Sequence, residues 1–237
     1  MNKTIQPLTM DSLSFPPLDN ALDEPNGLLA FGGDLTTKRI ISAYSKGIFP
    51  WFSEGETILW WSPNPRAVIL TDKIRINRTL KKVLKQQHFT VTVNKSFAQV
   101  IEFCADAPFR KEGTWIIPQM VDAYLALHKQ GIAHSIEVWM NEELAGGLYG
   151  VAINGFFSGE SMFYRQSNAS KIALVYLSQL LKEQDIKMID CQISNPFLED
   201  MGSIEIDRNS FINKKNNAIA NKLPTDFWQT RQLRFKL

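Results

Sequence analysis

The chain has 237 residues, which is the length of one large domain or of two modest ones. Apolar residues make up 44% and charged residues 21%, ordinary values that exclude disordered, collagen-like and coiled-coil chains. The net charge is only +2 and by itself indicates no particular partner.

Membrane and metal-centred functions are also disfavoured. No apolar stretch reaches the roughly 18 residues that a membrane helix needs, and the N-terminus lacks the apolar run of a signal peptide, so a cytoplasmic location is expected. Two cysteines and three scattered histidines are too few for a disulfide framework or a zinc site. We expect no metal, no cofactor and no membrane contact, and because nothing demands an oligomer we expect a monomer.

The near-neutral total conceals two basic segments. Residues 71–95 and 208–237 each carry seven Lys or Arg against one acid, a local charge of +6. Since the total is only +2, the remaining chain carries −10. Such a distribution suits a protein that binds a polyanion at one place and a cation at another.

Residues 1–65 are rich in Pro, Gly and Trp and predict a small N-terminal domain. Within it, TTKRIISAYSKG has apolar residues at helical spacing and a Gly near its end, which predicts a short helix. Trp51, Trp60 and Trp61 follow within eleven residues, and Trp115 comes later. Exposed indoles in a Pro-rich loop can stack on bases, whereas Trp60 and Trp61 are interpreted as anchors of a small core.

Residues 66–237 show a regular pattern and predict the second domain. RAVIL and FTVTVN predict strands, and SFAQVIEFCAD and IPQMVDAYLALHKQG predict helices that place Cys104 and His128 in or beside the core. Three strand-like runs follow, with the hairpin signal Asn154-Gly155 between the last two, and then a long helix and the strand KMIDCQ. These signals predict an antiparallel meander with a β-α-β crossover.

A basic helix is predicted after Asn77, a favourable N-cap residue. Apolar residues share one face, and four cations form a second stripe at i, i+3, i+4 and i+7: Arg78, Lys81, Lys82 and Lys85. Like charges at this spacing repel by a few tenths of a kcal/mol per pair, a cost that a phosphate backbone would turn into attraction. The stripe fits a solvated helix face and a nucleic-acid contact equally well.

Two acids and an amide stand out on apolar strands. Glu160 lies in FFSGESMF, and Asp190 and Gln192 alternate in IDCQ. Alternation predicts that Asp190 and Gln192 share a face, with Cys191 on the opposite face in the core. Because a carboxylate is costly to bury without a partner or a purpose, the two acids together indicate a functional site.

Nine collinear motifs resemble those of the bacterial leucyl/phenylalanyl-tRNA–protein transferase family: PNGLLAFGGDL, GIFPWF, LWWSPNPRAV, GTWI, AHSIEVW, GGLYGVA, FFSGESMF, NASKIAL and IDCQ. The resemblance runs from about Phe15 to Trp228. It implies an α+β fold, in which a small N-terminal α/β domain precedes a GNAT-like acyltransferase domain with a mostly antiparallel sheet. It also implies a leucyltransferase that moves Leu, also Phe and less often Met, from aminoacyl-tRNA to N-terminal Arg or Lys of acceptor proteins, which then enter N-degron (N-end rule) degradation.

The resemblance also implies site residues. The 3′-terminal adenosine of Leu-tRNA or Phe-tRNA would stack against Trp51 and Trp115. The aminoacyl side chain would enter an apolar pocket formed by Leu148, Phe157, Met162, Leu174, Leu177, Leu181 and Ile189. Glu160, Asp190 and Gln192 match the polar residues of the reacting centre, and the basic stripe would contact tRNA.

The chain departs from the family pattern at three positions. Phe197 stands where many relatives carry a His after the DCQ motif, and Ile117 and Tyr164 replace residues that are usually small and polar. A mechanism that needs an imidazole at this place is therefore not expected.

The chemistry is compatible with the residues. An aminoacyl-tRNA is an activated ester, so no covalent enzyme intermediate is needed, but the acceptor α-amine (reference pKa about 7.7–8.0) must be oriented and lose a proton. The developing oxyanion must also be stabilised. We hypothesise that Asp190 holds the amine and receives or relays its proton, that Gln192 positions the ester or the tetrahedral intermediate, and that Glu160 helps to recognise the cationic acceptor.

Two other functions compete. An acyl-CoA-dependent N-acetyltransferase needs a glycine-bearing pyrophosphate loop at the start of a helix, where this chain reads YRQSNASK. A non-catalytic RNA-binding module would explain the basic helix and the tryptophans but would leave Glu160, Asp190 and Gln192 unused. The C-terminal segment KKNNAIANKLPTDFWQTRQLRFKL is interpreted as a tRNA contact or as a solubilising tail, and the second interpretation is favoured.

Overall fold

The computed structural model describes residues 3–106 and 114–234. These residues contain seven α-helices and twelve strands. The helices are α1 Thr37–Lys46, α2 Arg78–Gln86, α3 Phe97–Ala105, α4 Pro118–Lys129, α5 Ala169–Lys182, α6 Pro196–Asp200 and α7 Arg208–Ala220. The strands are β1 Gln6–Leu8, β2 Leu28–Gly32, β3 Phe49–Pro50, β4 Leu59–Trp61, β5 Arg66–Leu70, β6 Thr90–Val93, β7 Ala133–Met140, β8 Glu143–Ile153, β9 Phe156–Tyr164, β10 Met188–Gln192, β11 Ile204–Ile206 and β12 Arg231–Leu233.

The strands form two sheets, which confirms the α+β class. The small sheet has the order β1-β2-β4-β3, and the large sheet has the order β11-β5-β10-β9-β8-β7-β6-β12. The large sheet is mixed. Strands β9 and β10 run parallel to each other, whereas every other pair of neighbouring strands in this sheet is antiparallel. The candidate functional site lies beside this parallel pair of strands, β9 and β10.

The predicted meander and crossover are both confirmed. Strands β7, β8 and β9 are consecutive antiparallel neighbours, and helix α5 carries the chain from β9 across to the parallel strand β10. Asn154 has a φ of 51° in the turn between β8 and β9, the left-handed conformation that an Asn-Gly hairpin signal requires. Parallel strands need such a crossover because a tight turn reverses the chain direction and can therefore join only antiparallel strands.

The small sheet lies within residues 1–65 and the large sheet within residues 66–237, but one hydrophobic cluster packs against both. Leu29, Ile40 and Trp60 from the N-terminal part join Val100 and Tyr149 from the second part in that cluster. The division into domains 1–65 and 66–237 therefore stays a prediction.

Trp60 is a core anchor, as interpreted from the sequence. It is fully buried, and its indole N–H donates to the carbonyl oxygen of Gly32 at 2.9 Å. Trp61 is half-buried, packs against the same cluster, and donates its indole N–H to the carbonyl oxygen of Trp51 at 2.6 Å. Cys104 is also buried in the core, in agreement with its predicted role.

The interpretation of the C-terminal segment as a solubilising tail is wrong. Strand β12 pairs with β6 at one edge of the large sheet, and α7 buries Phe211 and Lys215. Trp228 stacks on His134 with 4.2 Å between ring centroids, and its carbonyl oxygen accepts a hydrogen bond from Asn94 at 2.7 Å. The basic residues obscured an apolar pattern that packs this segment into the fold.

No helix in the described part of the chain has both the length and the apolar character needed to cross a membrane.

Candidate active site

A cavity of about 680 Å³ opens where β9 and β10 separate. The two strands pair at only two positions, Phe157 with Ile189 and Ser158 with Asp190. Beyond these pairs, residues that follow on both strands line the cavity, including Glu160 on β9. The other walls come from β3 and Trp51 after it, from Trp115, from β8 and α5, and from the segment after β10 together with α6. The cavity thus lies where the pairing of two parallel neighbours ends.

The predicted aminoacyl pocket maps largely onto this cavity. Five of its seven residues line the wall: Leu148, Met162, Leu174, Leu177 and Ile189. Phe157 and Leu181 do not line the cavity. Both belong to the hydrophobic core, where the ring of Phe157 lies 5.7 Å from that of Trp228. Sequence reasoning missed Phe197 and Leu198 as lining residues, because α6 folds back beside the cavity only in three dimensions.

Both predicted stacking residues line the same cavity. Trp51 is 41% exposed, and its ring centroid lies 5.4 Å from that of Trp61 at an interplanar angle of 57°. Trp115, from the segment before α4, is half-buried. The structure therefore brings together the apolar wall and two aromatic surfaces that are separated by more than sixty residues in the sequence.

Asp190 does not line the cavity and is fully buried. Its Oδ1 accepts hydrogen bonds from Arg66 Nε at 2.8 Å and from the backbone N–H of Gln192 at 3.1 Å. Its Oδ2 accepts from Arg66 Nη2 at 2.8 Å and from the hydroxyl of Ser158 at 2.9 Å. Because both oxygens are occupied inside the protein, this arrangement gives the acceptor amine no direct access to Asp190.

Arg66 is the partner that sequence reasoning missed. It is 1% exposed, and its guanidinium lies between the rings of Phe49 and Phe211, at 4.9 and 4.6 Å from their centroids. A third contact runs from Nη1 to the carbonyl oxygen of Gly47 at 3.3 Å. The available signal was a lone cation at the start of the apolar strand RAVIL, since a buried charge needs a partner.

Glu160 and Gln192 form the polar pair that does face the cavity. Gln192 Nε2 donates to Glu160 Oε1 at 2.9 Å and to the Ser158 hydroxyl at 3.2 Å. The hydroxyl of Tyr124 donates to Glu160 Oε2 at 2.8 Å, and the hydroxyls of Tyr124 and Tyr44 are 2.7 Å apart. Burial raises the pKa of Glu160 to about 7, although the hydroxyls of Tyr44 and Tyr124 oppose that rise.

The prediction that Cys191 lies on the face opposite Gln192 is wrong, although Cys191 packs against the hydrophobic core as expected. The pairing of β10 with β5 shifts register between Asp190 and Gln192, and Gln192 has a φ of 57°. This bulge breaks the alternation, so Cys191 and Gln192 both line the cavity while Asp190 does not. Burial raises the pKa of the Cys191 thiol well above its ordinary value, so it is no activated nucleophile.

The basic helix forms as predicted. The side chain of Asn77 accepts from the backbone N–H of Leu80 at 2.9 Å, and Leu80 and Leu84 are buried. The four stripe residues are exposed, and within the described residues none of them forms an ion pair: Arg78, Lys81, Lys82 and Lys85. Their assignment to tRNA stays a prediction.

Across residues 3–106 and 114–234, no cluster of three or more His, Cys, Asp or Glu side chains could hold a metal ion.

Comparison with known proteins gives the class. A family model described as "Leucyl/phenylalanyl-tRNA protein transferase" matches residues 68–216, and a model of the corresponding N-terminal domain matches residues 33–64. The "Leucyl/phenylalanyl-tRNA--protein transferase" of Colwellia psychrerythraea is 58% identical over 98% of this chain and 99% of its own length. The relative of the same name from Idiomarina loihiensis is 50% identical over 94% of each chain. By class the chain is thus an aminoacyltransferase.

The chain belongs to the leucyl/phenylalanyl-tRNA protein transferase family, which confirms the identification made from its motifs. Among solved structures, "The structure of L-PGS from Bacillus licheniformis" shows 14% identity over 73% of this chain and 56% of that chain, with a TM-score of 0.39. A TM-score this low does not establish a common fold.

Proposed function

We propose that this chain transfers Leu, also Phe and less often Met, from aminoacyl-tRNA to N-terminal Arg or Lys of acceptor proteins, and so feeds N-degron degradation in the cytoplasm. Family membership supports the reaction class. The observation that carries the proposal is that one cavity contains two tryptophans, an apolar wall, and the Glu160–Gln192 pair. These are the three surfaces that an aminoacyl-adenosine end and an amine acceptor require.

The donor end fits the apolar part of the cavity. The volume of the whole cavity, about 680 Å³, lies within the usual range of small-ligand sites. Met162, Leu174 and Leu177 offer adaptable walls to an unbranched or γ-branched side chain. Because a methylene in such a pocket contributes only about 1–3 kcal/mol of discrimination, we expect a preference among Leu, Phe and Met rather than an absolute choice.

The acceptor end fits the polar part. Among the lining residues that the structure describes, Glu160 is the only carboxylate, and none is Lys, Arg or His. A cationic N-terminal residue therefore meets attraction without a competing positive charge. Gln192, held by Ser158 and Glu160, presents its amide beside this carboxylate.

Asp190 acts through other residues in this proposal. Its carboxylate fixes the backbone of Gln192 and the hydroxyl of Ser158, and both of these set the position of the Gln192 side chain. Replacing Asp190 by Ala is expected to lower transfer sharply while binding of charged tRNA survives. Unchanged turnover would reject this role.

The remaining assignments concern the fold and the tRNA body. We propose that residues 66–237 form a GNAT-like acyltransferase core, supported by the meander, the crossover and the cavity at the diverging parallel strands. The exposed stripe on α2 is proposed to contact tRNA phosphates, and the protein is proposed to act as a monomer.

One assay tests the proposed function against its competitors. The protein is incubated with an acceptor protein that begins with Arg, and either radiolabelled Leu-tRNA or radiolabelled acetyl-CoA is supplied as donor. Label transferred from the tRNA alone is the expected result. Label transferred from acetyl-CoA would instead identify an acetyltransferase, and binding of tRNA without transfer would identify an RNA-binding module.

A further inference from the structure

Two buried tyrosines extend the polar pair of the cavity into the protein. Tyr124 on α4 and Tyr44 on α1 are 0% and 1% exposed. Their hydroxyls form a chain that leads from Tyr44 through Tyr124 to Glu160 Oε2, with steps of 2.7 and 2.8 Å. The other carboxylate oxygen, Oε1, accepts from Gln192. Glu160 is thus the end of a hydrogen-bonded chain that begins behind the cavity and reaches its wall.

This chain can accommodate both protonation states of Glu160. When the carboxylate is ionised, Tyr124 donates to it and can accept from Tyr44. When the carboxyl is protonated, it can donate to Tyr124, which then donates to Tyr44. A hydroxyl serves as donor or acceptor by rotation about its C–O bond, so the hydrogen bond between Tyr124 and Glu160 persists in both states with its direction reversed. An isolated carboxylate in an apolar wall would lack this property.

We propose that Glu160 accepts the proton of the attacking α-amine, and that Tyr124 and Tyr44 are positioning residues that hold its carboxylate for this step. The inference rests on the proposed aminoacyl transfer and assigns to Glu160 the proton transfer first hypothesised for Asp190. Asp190 is unsuited to it because Arg66, Ser158 and Gln192 already occupy both of its oxygens.

The proton balance of the step closes without a further reactant. The α-amine nitrogen forms a bond to the ester carbonyl carbon, and the bond from that carbon to the ribose oxygen breaks. Glu160 takes the proton that the nitrogen loses and returns it to the departing ribose oxygen. The net reaction moves one proton from the amine to the ribose hydroxyl and regenerates the carboxylate.

The groups that face Glu160 favour this role. Arg66 on β5 lowers the pKa of Glu160 and Asp190 on β10 raises it, while burial is the largest influence and brings the pKa to about 7. Burial also raises the pKa of Tyr44 and Tyr124 well above 10, so both remain protonated donors at working pH, with Tyr149 on β8 as their third tyrosine neighbour. A proton acceptor is most effective when its pKa lies near the operating pH.

The test compares pH profiles of variants that each change one polar group. Transfer from saturating Leu-tRNA to one fixed peptide that begins with Arg is measured as kcat/KM across neutral pH, for wild type, Tyr124→Phe, Tyr44→Phe and Glu160→Gln. Tyr176→Phe is the matched control, since Tyr176 is a buried tyrosine on α5 whose ring contacts Phe89 away from the cavity. The ionisation of the peptide amine is common to all variants, so a shift between profiles comes from the enzyme.

Activity is expected to rise with pH through about 7 in the wild type, as Glu160 ionises. Loss of the Tyr124 hydroxyl removes a donor to the carboxylate, so the midpoint should move to higher pH by roughly one unit. Tyr44→Phe should shift the midpoint in the same direction, and Tyr176→Phe should leave it unchanged. Glu160→Gln should lose this inflection and slow transfer by about 100-fold or more.

Each other outcome counts against the inference. A midpoint that does not move in Tyr124→Phe, with transfer by wild type intact, would overturn this inference alone. An equal shift in Tyr176→Phe would do the same, because it would trace the change to general packing. Absence of transfer by the wild type would overturn the proposed function and this inference with it. Thermal unfolding of each variant verifies that the folded protein is being compared.

Discussion

The two acids of the site stand on adjacent strands and have opposite surroundings. Asp190 on β10 is buried, receives four hydrogen bonds and shares a bidentate ion pair with Arg66. Glu160 on β9 faces the cavity, is held by neutral donors only, and has its pKa raised to about 7 by burial. The partners of a carboxylate thus decide its role: Asp190 is fixed as a charge, whereas Glu160 can change its protonation state.

The largest effect is expected from removing the ion pair between Arg66 and Asp190. Arg66→Met leaves the carboxylate of Asp190 buried without its counter-ion, so the free energy of unfolding should fall by about 3–5 kcal/mol. Urea denaturation at neutral pH measures the change. The double variant Arg66→Met with Asp190→Asn should recover part of the loss, because it removes the stranded charge. A loss below about 1 kcal/mol in the single variant would show that the ion pair is not what holds Asp190.

Glu160 should show the opposite behaviour. Its pKa of about 7 in the folded protein exceeds the ordinary value of 4.5, so folding favours the neutral carboxyl. The wild type therefore loses stability as pH rises from about 4.5 to about 7. Glu160→Gln remains neutral and should exceed the wild type in stability by about 1–3 kcal/mol at pH 8, with the difference vanishing near pH 4.

The control for this prediction is Glu205→Gln, which changes an exposed glutamate on β11. Its pH dependence of unfolding should match that of the wild type. If Glu160→Gln were less stable than the wild type at pH 8, the ionised carboxylate of Glu160 would stabilise the fold. Glu160 would then resemble Asp190 and the prediction would be wrong.

The basic stripe on α2 differs from both acids because its charges face solvent. Lys81 and Lys85 on α2 are exposed and without an ion-pair partner among the described residues. Replacing both by Ala should weaken tRNA binding and reduce the slope of log affinity against log salt by about 0.7–0.9 for each tRNA phosphate that the variant no longer neutralises. Stability should change by no more than about 0.5 kcal/mol.

Filter binding at several salt concentrations measures this effect. Lys129→Ala with Lys182→Ala, which removes two exposed lysines outside both basic segments, is the matched control and should leave the salt slope unaltered. If the dependence of tRNA affinity on salt were unchanged in the α2 variant, the stripe would be a solvated helix face that does not contact tRNA.

The sequence was sufficient for features that depend on neighbouring residues. The N-cap Asn77, the turn at Asn154, the core position of Trp60 and the order of strands around α5 all follow from local patterns and are confirmed. The motif resemblance named seven residues for an aminoacyl pocket, and five of them line one cavity, while their role stays a prediction. Periodicity and turn chemistry act over a few residues, so they can be interpreted without a fold.

The features that escaped prediction depend on distant contacts or on one irregular residue. Arg66 and Asp190 are 124 residues apart, and no local pattern links them. A single bulge at Cys191 brings both Cys191 and Gln192 to the cavity, where strict alternation would place them on opposite faces. In the C-terminal segment, Trp228 finds its partner His134 nearly a hundred residues earlier, which made a folded segment look like a charged tail.

The most direct test of the contrast between the two acids is the single-turnover rate of leucyl transfer, measured at saturating Leu-tRNA for Glu160→Gln and Asp190→Asn beside their unfolding free energies. Glu160→Gln is predicted to transfer at least about 100-fold more slowly than the wild type while being at least as stable at pH 8. Asp190→Asn is predicted to lose stability together with activity, because Arg66 is then left buried without its counter-ion. Transfer at the wild-type rate by Glu160→Gln would contradict the account.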